Sequence, residues 1–116
     1  MNKTNKKIVI TGGEGRFAQT LKKTKNNLKI FYPNKKDLNI LDIESIKKYL
    51  KKIKPKYLIH AAALSRPMSL HDTNISKSID LNIIGTCNIV KVCAEHNIKL
   101  VYFSTGYVYQ GNVGNY

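Results

Sequence analysis

Apolar residues follow two alternating patterns along the chain. The first is a short run of β-branched and apolar residues closed by glycine, proline or a polar cluster, which is typical of a buried parallel strand. Such runs occupy 7–11, 28–32, 57–61 and 100–104. The second is a spacing of three or four residues between apolar positions, which predicts helices over 16–25, 43–53 and about 75–95. Strands that alternate with helices predict one α/β domain over residues 1–116, a Rossmann-type doubly wound parallel sheet.

Polar residues and proline mark the expected helix boundaries. Asp42 stands where the second helix needs an N-cap, and Lys54-Pro55 should end that helix. Asn26-Asn27 and Asn97 are expected to break the first and third helices in the same way.

The net charge of +13 raises the question of a nucleic-acid partner, because basic surfaces attract phosphate backbones. The densest lysine run lies in the predicted helix 43–53, whose apolar positions recur at helical spacing and place the lysines on the opposite, solvated face. Other lysines are spread over the N-terminal tail, the helices and the loops. We therefore predict no nucleic-acid partner, and a basic nucleic-acid-binding protein stays as the third hypothesis.

Further function classes lack their usual sequence patterns. No apolar run reaches the ~18 residues that a membrane span needs, so we expect a cytoplasmic protein without membrane contact. Cys87 and Cys93 lie on different faces of a predicted helix and are interpreted as small apolar packing residues. His60, His71 and His96 have no acidic or thiol companions at ligand spacing, so no metal site is predicted.

A glycine turn follows the first predicted strand directly. The segment Thr11-Gly12-Gly13-Glu14-Gly15 leads into a helix that begins with Arg16. A tight turn needs residues that accept positive φ, and a pyrophosphate on a helix N-terminus needs bare backbone N–H groups. Gly12 and Gly15 meet those needs, and Ala18 lies where helix and strand must pack closely. This position between strand and helix predicts a dinucleotide site.

The spacing Gly12-x-x-Gly15-x-x-Ala18 resembles that of extended short-chain dehydrogenases/reductases, and four further segments match that family in order. The four segments are Asp37–Asp42, His60–Ala63, Asn82–Asn88 and Ser104–Gly111. The last of them resembles the Ser-Thr-Asp-Tyr-Val-Phe-x-Gly segment of dTDP-4-dehydrorhamnose reductases and related nucleotide-sugar reductases.

The resemblance implies a role for each matching position. Backbone groups of the glycine turn and helix start would hold the pyrophosphate, and two residues after the second strand would flank the adenine. An alanine-rich strand end would line the approach to the ribose and nicotinamide. Asn82 would help position the active-site strand, and Thr105 would be the catalytic hydroxyl. The cofactor-binding positions are Gly12, Gly15, Arg16 and Phe17 for the pyrophosphate, Asn39 and Ile40 for the adenine, and Ala61, Ala62 and Ala63 for the ribose and nicotinamide.

Charge after the second strand bears on the choice of cofactor. An acid there would bind the 2′-hydroxyl of NAD(H) and repel a 2′-phosphate. The sequence instead has Lys35 and Lys36, so NADP(H) is favoured and NAD(H) remains an alternative. The two lysines are equally consistent with ordinary loop residues in a lysine-rich chain.

The family resemblance implies an oxidoreductase that reduces a 4-keto nucleotide sugar, as in dTDP-rhamnose or surface-polysaccharide sugar biosynthesis. Family members complete the active site with a Tyr-x-x-x-Lys pair beyond the threonine, whereas this sequence ends eleven residues after Thr105. We therefore expect a truncated fold that lacks the substrate domain and is inactive alone. The alternatives are a non-catalytic dinucleotide-binding module that acts with a partner chain, and a fragment of a nucleotide-sugar epimerase or dehydratase.

The expected end of the fold also bears on assembly. The strand at 100–104 should lie beyond the strand at 57–61, and it has neither lysine nor proline to protect an open edge. We expect this edge to cause self-association or pairing with a missing C-terminal half.

Overall fold

Residues 6–62 and 73–103 are described by the computed structural model of the protein. Ala63, Thr105 and the Ser104–Gly111 segment lie outside these residues, as does His71.

Four parallel strands form one sheet in the order β2-β1-β3-β4. The strands are β1 (Lys7–Thr11), β2 (Lys29–Phe31), β3 (Tyr57–His60) and β4 (Lys99–Tyr102). In the central register Val9 pairs with Leu58, and Leu58 pairs with Leu100. The position of β4 beyond β3 confirms the predicted strand order, and with the helices it gives the expected α/β Rossmann-type sheet. All four carboxyl ends point to the same edge, where ligands bind in folds of this type.

The helices connect these strands. They are α1 (Arg16–Lys23), α2 (Ile43–Ile53), α3 (Ile75–Ile79) and α4 (Gly85–Glu95), with a π-helical turn at Asp80–Ile84 between the last two. The predicted N-cap of α2 is confirmed, because the Asp42 side chain accepts a hydrogen bond from the Glu44 N–H at 3.1 Å. Lys54 and Asn97 follow α2 and α4 with φ of 55° and 57°, the left-handed geometry that ends many helices.

Helix α1 ends two residues before the predicted Lys25. Thr24 takes an extended conformation, and its hydroxyl donates to the Thr20 carbonyl at 3.0 Å. The Asn26 amide then donates to the Thr24 carbonyl, and its oxygen accepts the Leu28 N–H. These side-chain bonds compete with further helical turns, and they leave Leu28 exposed outside β2.

The predicted helix of 75–95 is interrupted by the π turn. A π turn adds one residue and so rotates every later side chain by about 100° relative to an uninterrupted helix. Gly85 follows the π turn and lies close to the Ile40 side chain, because a Cβ on Gly85 would be 2.6 Å from Cδ1 of Ile40. Apolar spacing cannot distinguish a helix with one added residue from a regular one.

The main core lies between the sheet and the helices α2 and α4. Each of its members exposes less than a tenth of its surface to solvent: Val9, Leu38, Ile40, Ile46, Leu50, Leu58, Ile89, Val92 and Cys93. Burial raises the pKa of the Cys93 thiol to about 11, which fits the predicted packing role. The same prediction for Cys87 is wrong, because that residue is exposed. The six-residue spacing places the two cysteines on different helix faces, and only one face meets the sheet.

Lysines of α2 lie mostly on its outer face, as the apolar spacing predicted. Lys48, Lys51 and Lys52 are exposed, while Lys47 pairs with Glu95 of α4 at 3.7 Å.

None of the helices in the described part of the chain has the length and apolar character that a membrane span requires. β4 is the outermost strand on the β3 side of the sheet, and its residues Val101 and Tyr102 are about half exposed.

Candidate functional site

A cleft of about 630 Å³ opens at the carboxyl ends of β1, β2 and β3. The glycine turn forms its floor, and the segment after β2 and the helical segment around α3 form its walls. Its lining comprises Thr11–Gly15, Pro33–Lys35, Leu38–Leu41, Ala61, Ala62, Asn74, Ser76, Lys77, Asp80 and Leu81. The cleft is therefore at the edge of the sheet where the sequence placed the dinucleotide.

Gly12 requires glycine on two counts. Its φ is +73°, a conformation that residues with a side chain rarely adopt. A Cβ on Gly12 would also lie 2.9 Å from both the Ala61 oxygen and the Ala62 nitrogen. The turn after β1 is thus in direct backbone contact with the loop after β3.

Gly15 has a different reason to be glycine. Its φ of −76° and ψ of 170° are open to any residue, and the nearest atom to an added Cβ would be the Gly12 oxygen at 3.2 Å. Gly15 is the N-cap of α1, where no side chain covers the free N–H groups and the first turn contains no acid. The helix N-terminus is therefore open to an anion from the cleft.

Arg16 and Phe17 begin α1 beside this turn, but neither contributes to the described lining of the cleft. Both side chains are exposed. The Phe17 ring contacts the ring of Phe103 edge to face, with centroids 4.8 Å apart. Their proposed part in binding therefore involves backbone N–H groups, as the resemblance implied, and stays a prediction.

The segment after β2 is held by asparagine side chains. Asn34 Oδ1 accepts hydrogen bonds from the N–H groups of Lys36 and Asp37, both at 2.9 Å. Lys35 and Lys36 are both exposed, but only Lys35 is part of the described lining of the cleft. The structure thus separates two lysines that the sequence treated alike.

Asn39 and Ile40, the predicted adenine neighbours, both line the cleft. The Asn39 amide oxygen accepts the Leu41 N–H at 3.0 Å, and the Asn39 N–H donates to the Ser45 hydroxyl at 3.0 Å. Ile40 is nearly buried and also contributes to the core. These bonds fix the backbone of the segment, while the carbonyl-type oxygen of Asn39 keeps a second lone pair.

The helical wall of the cleft was not predicted. It consists of Asn74, Ser76, Lys77, Asp80 and Leu81. Asn74 is the N-cap of α3, and its side chain accepts the Lys77 N–H at 3.2 Å. An N-cap asparagine followed by a helix was a usable sequence signal, but the helix length alone did not indicate which turn faces the cleft.

Asn82 does not contribute to the described lining, and its amide donates to the Ser78 hydroxyl at 3.3 Å. Its role beside the active-site strand stays a prediction. Lys22 of α1 reaches back to the glycine turn, where its Nζ donates to the Gly13 oxygen at 3.3 Å. The same Nζ lies 4.7 Å from the centre of the Tyr32 ring, which places a positive charge at the rim of the turn.

A buried histidine lies below the cleft. His60, the last residue of β3, is 3% exposed. Its Nδ1 lies 2.8 Å from the Thr11 hydroxyl, and its Nε2 lies 3.0 Å from the Thr86 hydroxyl. Burial lowers the pKa of the imidazole below its ordinary value. The sequence analysis placed His60 at the start of the alanine-rich strand end and rejected it as a metal ligand, but it missed this hydrogen-bond network. Among the described residues, no cluster of His, Cys, Asp or Glu could hold a metal ion.

Comparison with known families shows which family the chain belongs to. Residues 6–116 match the family described as the RmlD substrate binding domain. The chain belongs to this family. It is homologous to dTDP-4-dehydrorhamnose reductases and related nucleotide-sugar reductases, which confirms the resemblance seen in its motifs.

Two solved structures show how much of the fold is shared. The dTDP-4-dehydrorhamnose reductase of Bacillus anthracis, solved with NADP, is 29% identical with a TM-score of 0.86, over 97% of this chain and 41% of that one. The GDP-mannoheptose C4 reductase of Campylobacter jejuni, solved with NADP bound, is 26% identical with a TM-score of 0.77, over 99% of this chain and 38% of that one.

The relatives found by sequence include a protein that is not named as a reductase. Methionine adenosyltransferase 2 subunit beta of Xenopus laevis is 35% identical over 74 residues, 64% of this chain and 22% of that protein. GDP-L-colitose synthase of Yersinia pseudotuberculosis is 30% identical over 95 residues, 80% of this chain and 31% of that protein. The chain therefore spans less than half the length of the relatives that it matches.

Proposed function

We propose that this chain is the NADP(H)-binding part of an oxidoreductase that reduces a 4-keto nucleotide sugar. The observation that carries the proposal is the open N-terminus of α1 at Gly15, beside a glycine turn packed directly against Ala61 and Ala62. This arrangement offers backbone N–H groups to a pyrophosphate at the carboxyl edge of a parallel sheet. The two reductase structures described above contain NADP, which supports the choice of ligand.

Three parts of the cleft lining each suit one part of that cofactor. The apolar side chain of Ile40 and the amide of Asn39 offer a packing surface and a hydrogen-bond acceptor to the adenine. Lys35 offers a positive charge to the 2′-phosphate. The small side chains of Ala61 and Ala62 leave space for the ribose and nicotinamide.

For catalysis, NADPH would supply a hydride to the sugar carbonyl. We propose Thr105 as a hydroxyl that contacts the substrate oxygen, and Ala63 as a further neighbour of the nicotinamide. The sequence after Thr105 contains no Tyr-x-x-x-Lys pair to protonate that oxygen. General acid–base groups contribute about 10² to 10⁴ in rate. We therefore propose that residues 1–116 bind the dinucleotide but do not reduce the sugar efficiently by themselves.

Replacing Gly15 by valine should weaken NADPH binding at least about tenfold, because a side chain at the N-cap would block the approach of the pyrophosphate to the α1 N–H groups. The backbone angles of Gly15 are compatible with other residues, so the far-UV circular dichroism should change little. A fluorescence titration with NADPH measures the effect. Equal affinities of Gly15→Val and wild type would rule out this site for the pyrophosphate.

The wild type should bind NADPH more tightly than NADH, because Lys35 lines the cleft where a 2′-phosphate would lie. Lys35→Ala should reduce this preference by on the order of 1 kcal/mol, since the contact is partly exposed. Lys36→Ala is the matched control and should leave the preference unchanged. Parallel titrations with both cofactors decide the outcome. A preference for NADH in the wild type would contradict the charge argument.

A second candidate function is a non-catalytic dinucleotide-binding module that acts with a partner chain. It is favoured by the identity of 35% to methionine adenosyltransferase 2 subunit beta, a protein named as a subunit. Co-elution of the chain with a methionine adenosyltransferase from the same organism in size-exclusion chromatography would support it. Elution of both proteins at their separate positions, together with NADPH binding, would favour the reductase.

A further inference from the structure

The Thr11 hydroxyl joins the glycine turn, at the floor of the cleft, to the loop after β3. Its oxygen accepts hydrogen bonds from the Ala61 N–H at 3.0 Å and from the Ala62 N–H at 3.1 Å. The same oxygen lies 2.8 Å from Nδ1 of His60. Thr11 is the last residue of β1 and is 2% exposed, so water does not compete for these bonds.

The protons of this network can be assigned by counting. A threonine hydroxyl has one hydrogen to donate and two lone pairs that accept. Both lone pairs of Thr11 are used by the fixed backbone N–H groups of Ala61 and Ala62. The hydroxyl must therefore donate its hydrogen to His60, whose Nδ1 must be an unprotonated acceptor.

The other ring nitrogen must then carry the hydrogen. A neutral imidazole with a bare Nδ1 is protonated at Nε2, and Nε2 of His60 donates to the Thr86 hydroxyl at 3.0 Å. Thr86 is the second residue of α4, two positions after the end of the π turn. From β4, the Tyr102 ring stacks on the imidazole with centroids 5.9 Å apart and planes inclined by 20°. Elements β1, β4 and α4 thus hold the ring in one orientation.

We propose that His60, held as the neutral Nε2–H tautomer, is the positioning residue of the dinucleotide loop. Through the Thr11 hydroxyl it keeps the N–H groups of Ala61 and Ala62 in place against Gly12. This inference rests on the proposed function, because it concerns how the same cleft is shaped. His60 itself lies below the cleft and is not part of its described lining.

The spacing of the loops explains why this hydrogen bond matters for binding. The position of a Cβ on Gly12 is 2.9 Å from Ala61 and Ala62 backbone atoms, so the two loops have no room to shift toward each other. If Nδ1 carried a hydrogen, it would point at an oxygen with no free lone pair. The Thr11 hydroxyl would rotate, and the N–H groups of Ala61 and Ala62 would lose their common acceptor.

The tautomer can be observed without any ligand. Two-dimensional ¹H–¹⁵N spectra of the histidine rings in the full chain should show an unprotonated Nδ1 and a protonated Nε2 for one residue at neutral pH. That pattern should disappear in His60→Asn, which assigns it. A protonated Nδ1 on His60 would overturn the proposal, because it is incompatible with the bonds that Thr11 accepts.

Binding measurements test the positioning role. Thr11→Val removes the acceptor of both N–H groups and should weaken NADPH binding at least about tenfold, whereas Thr11→Ser keeps the hydroxyl and should stay within about threefold of wild type. His60→Leu should weaken binding in the same way. His60→Asn should restore much of it, because its amide oxygen can accept the Thr11 hydrogen near the former Nδ1. Thr20→Val makes the same chemical change on the exposed face of α1 and should have no effect.

The outcomes separate the two proposals. If the wild type binds NADPH, and Thr11→Val and His60→Leu both bind it as tightly as the wild type does, the positioning role is overturned and the proposed function stands. If the wild type does not bind NADPH, the proposed function fails and the positioning role fails with it. Should Thr11→Val not fold, the pair His60→Leu and His60→Asn gives the same comparison.

Discussion

Replacing Gly12 by alanine should destabilise the fold and abolish measurable NADPH binding. Alanine would have to adopt a φ of +73°, which costs about 1–2 kcal/mol in the left-handed region. Its Cβ would also lie 2.9 Å from the Ala61 and Ala62 backbone, and overpacking of this kind costs about 1–3 kcal/mol. Urea denaturation should show a loss of free energy of unfolding within the sum of these ranges, and the displaced loop should no longer accept the dinucleotide.

Gly15→Ala is the matched control for this loss of stability. Gly15 has a φ of −76°, and its new Cβ would meet only the Gly12 oxygen, at 3.2 Å. Alanine is a poorer N-cap than glycine, so a loss of up to about 1 kcal/mol is expected. Unfolding of Gly12→Ala at the same urea concentration as Gly15→Ala would contradict the close backbone contact between the glycine turn and the loop after β3.

Leu58→Ala should lower the free energy of unfolding by about 2–5 kcal/mol, the range for a fully buried leucine. Leu58 is completely buried in β3, between Val9 of β1 and Leu100 of β4 in the sheet register. The cavity would lie under β3, which ends at His60 and leads into Ala61 and Ala62, so NADPH should protect the variant less than the wild type. Thermal or urea unfolding with and without NADPH measures both effects.

Leu28→Ala removes the same atoms from a leucine that is 58% exposed. It should change the free energy of unfolding by less than about 0.5 kcal/mol, as is usual for surface positions. Similar losses in the two variants would contradict the position of Leu58 in the core.

The parts of the fold that were predictable from sequence are those with local signals. Helix α2 has apolar spacing, a capping Asp42 and a stop at Lys54-Pro55, and its observed bounds agree with the predicted ones. The strands were located by β-branched runs: the bounds of β1 agree with the prediction, and those of the other three strands differ from it by one or two residues. Local hydrogen bonds of Thr24 and Asn26 decide where α1 ends, and such bonds compete with helix formation in a way that residue type alone does not reveal.

Features that depend on tertiary contacts were not predictable. The π turn before Gly85 allows the approach of Ile40, a residue far away in sequence. The exposure of Cys87 depends on which helix face meets the sheet. In the site, the glycine turn was recognised because its chemistry is local, whereas the network of His60 with Thr11 and Thr86 joins residues from three elements. Its only sequence signal was a histidine at the end of an otherwise apolar strand.

The contact between Gly12 and the loop after β3 has a consequence for how such sites can diverge. Two segments about fifty residues apart share one hydroxyl oxygen and touch through their backbones. Substitutions at Thr11 or Gly12 should therefore show strong epistasis with substitutions at His60 to Ala62, because residues in one hydrogen-bond network are not energetically additive. A glycine turn transplanted from a relative would function here only together with the loop that evolved beside it. Ligand preference could change more freely at Lys35, whose side chain is anchored by neither segment.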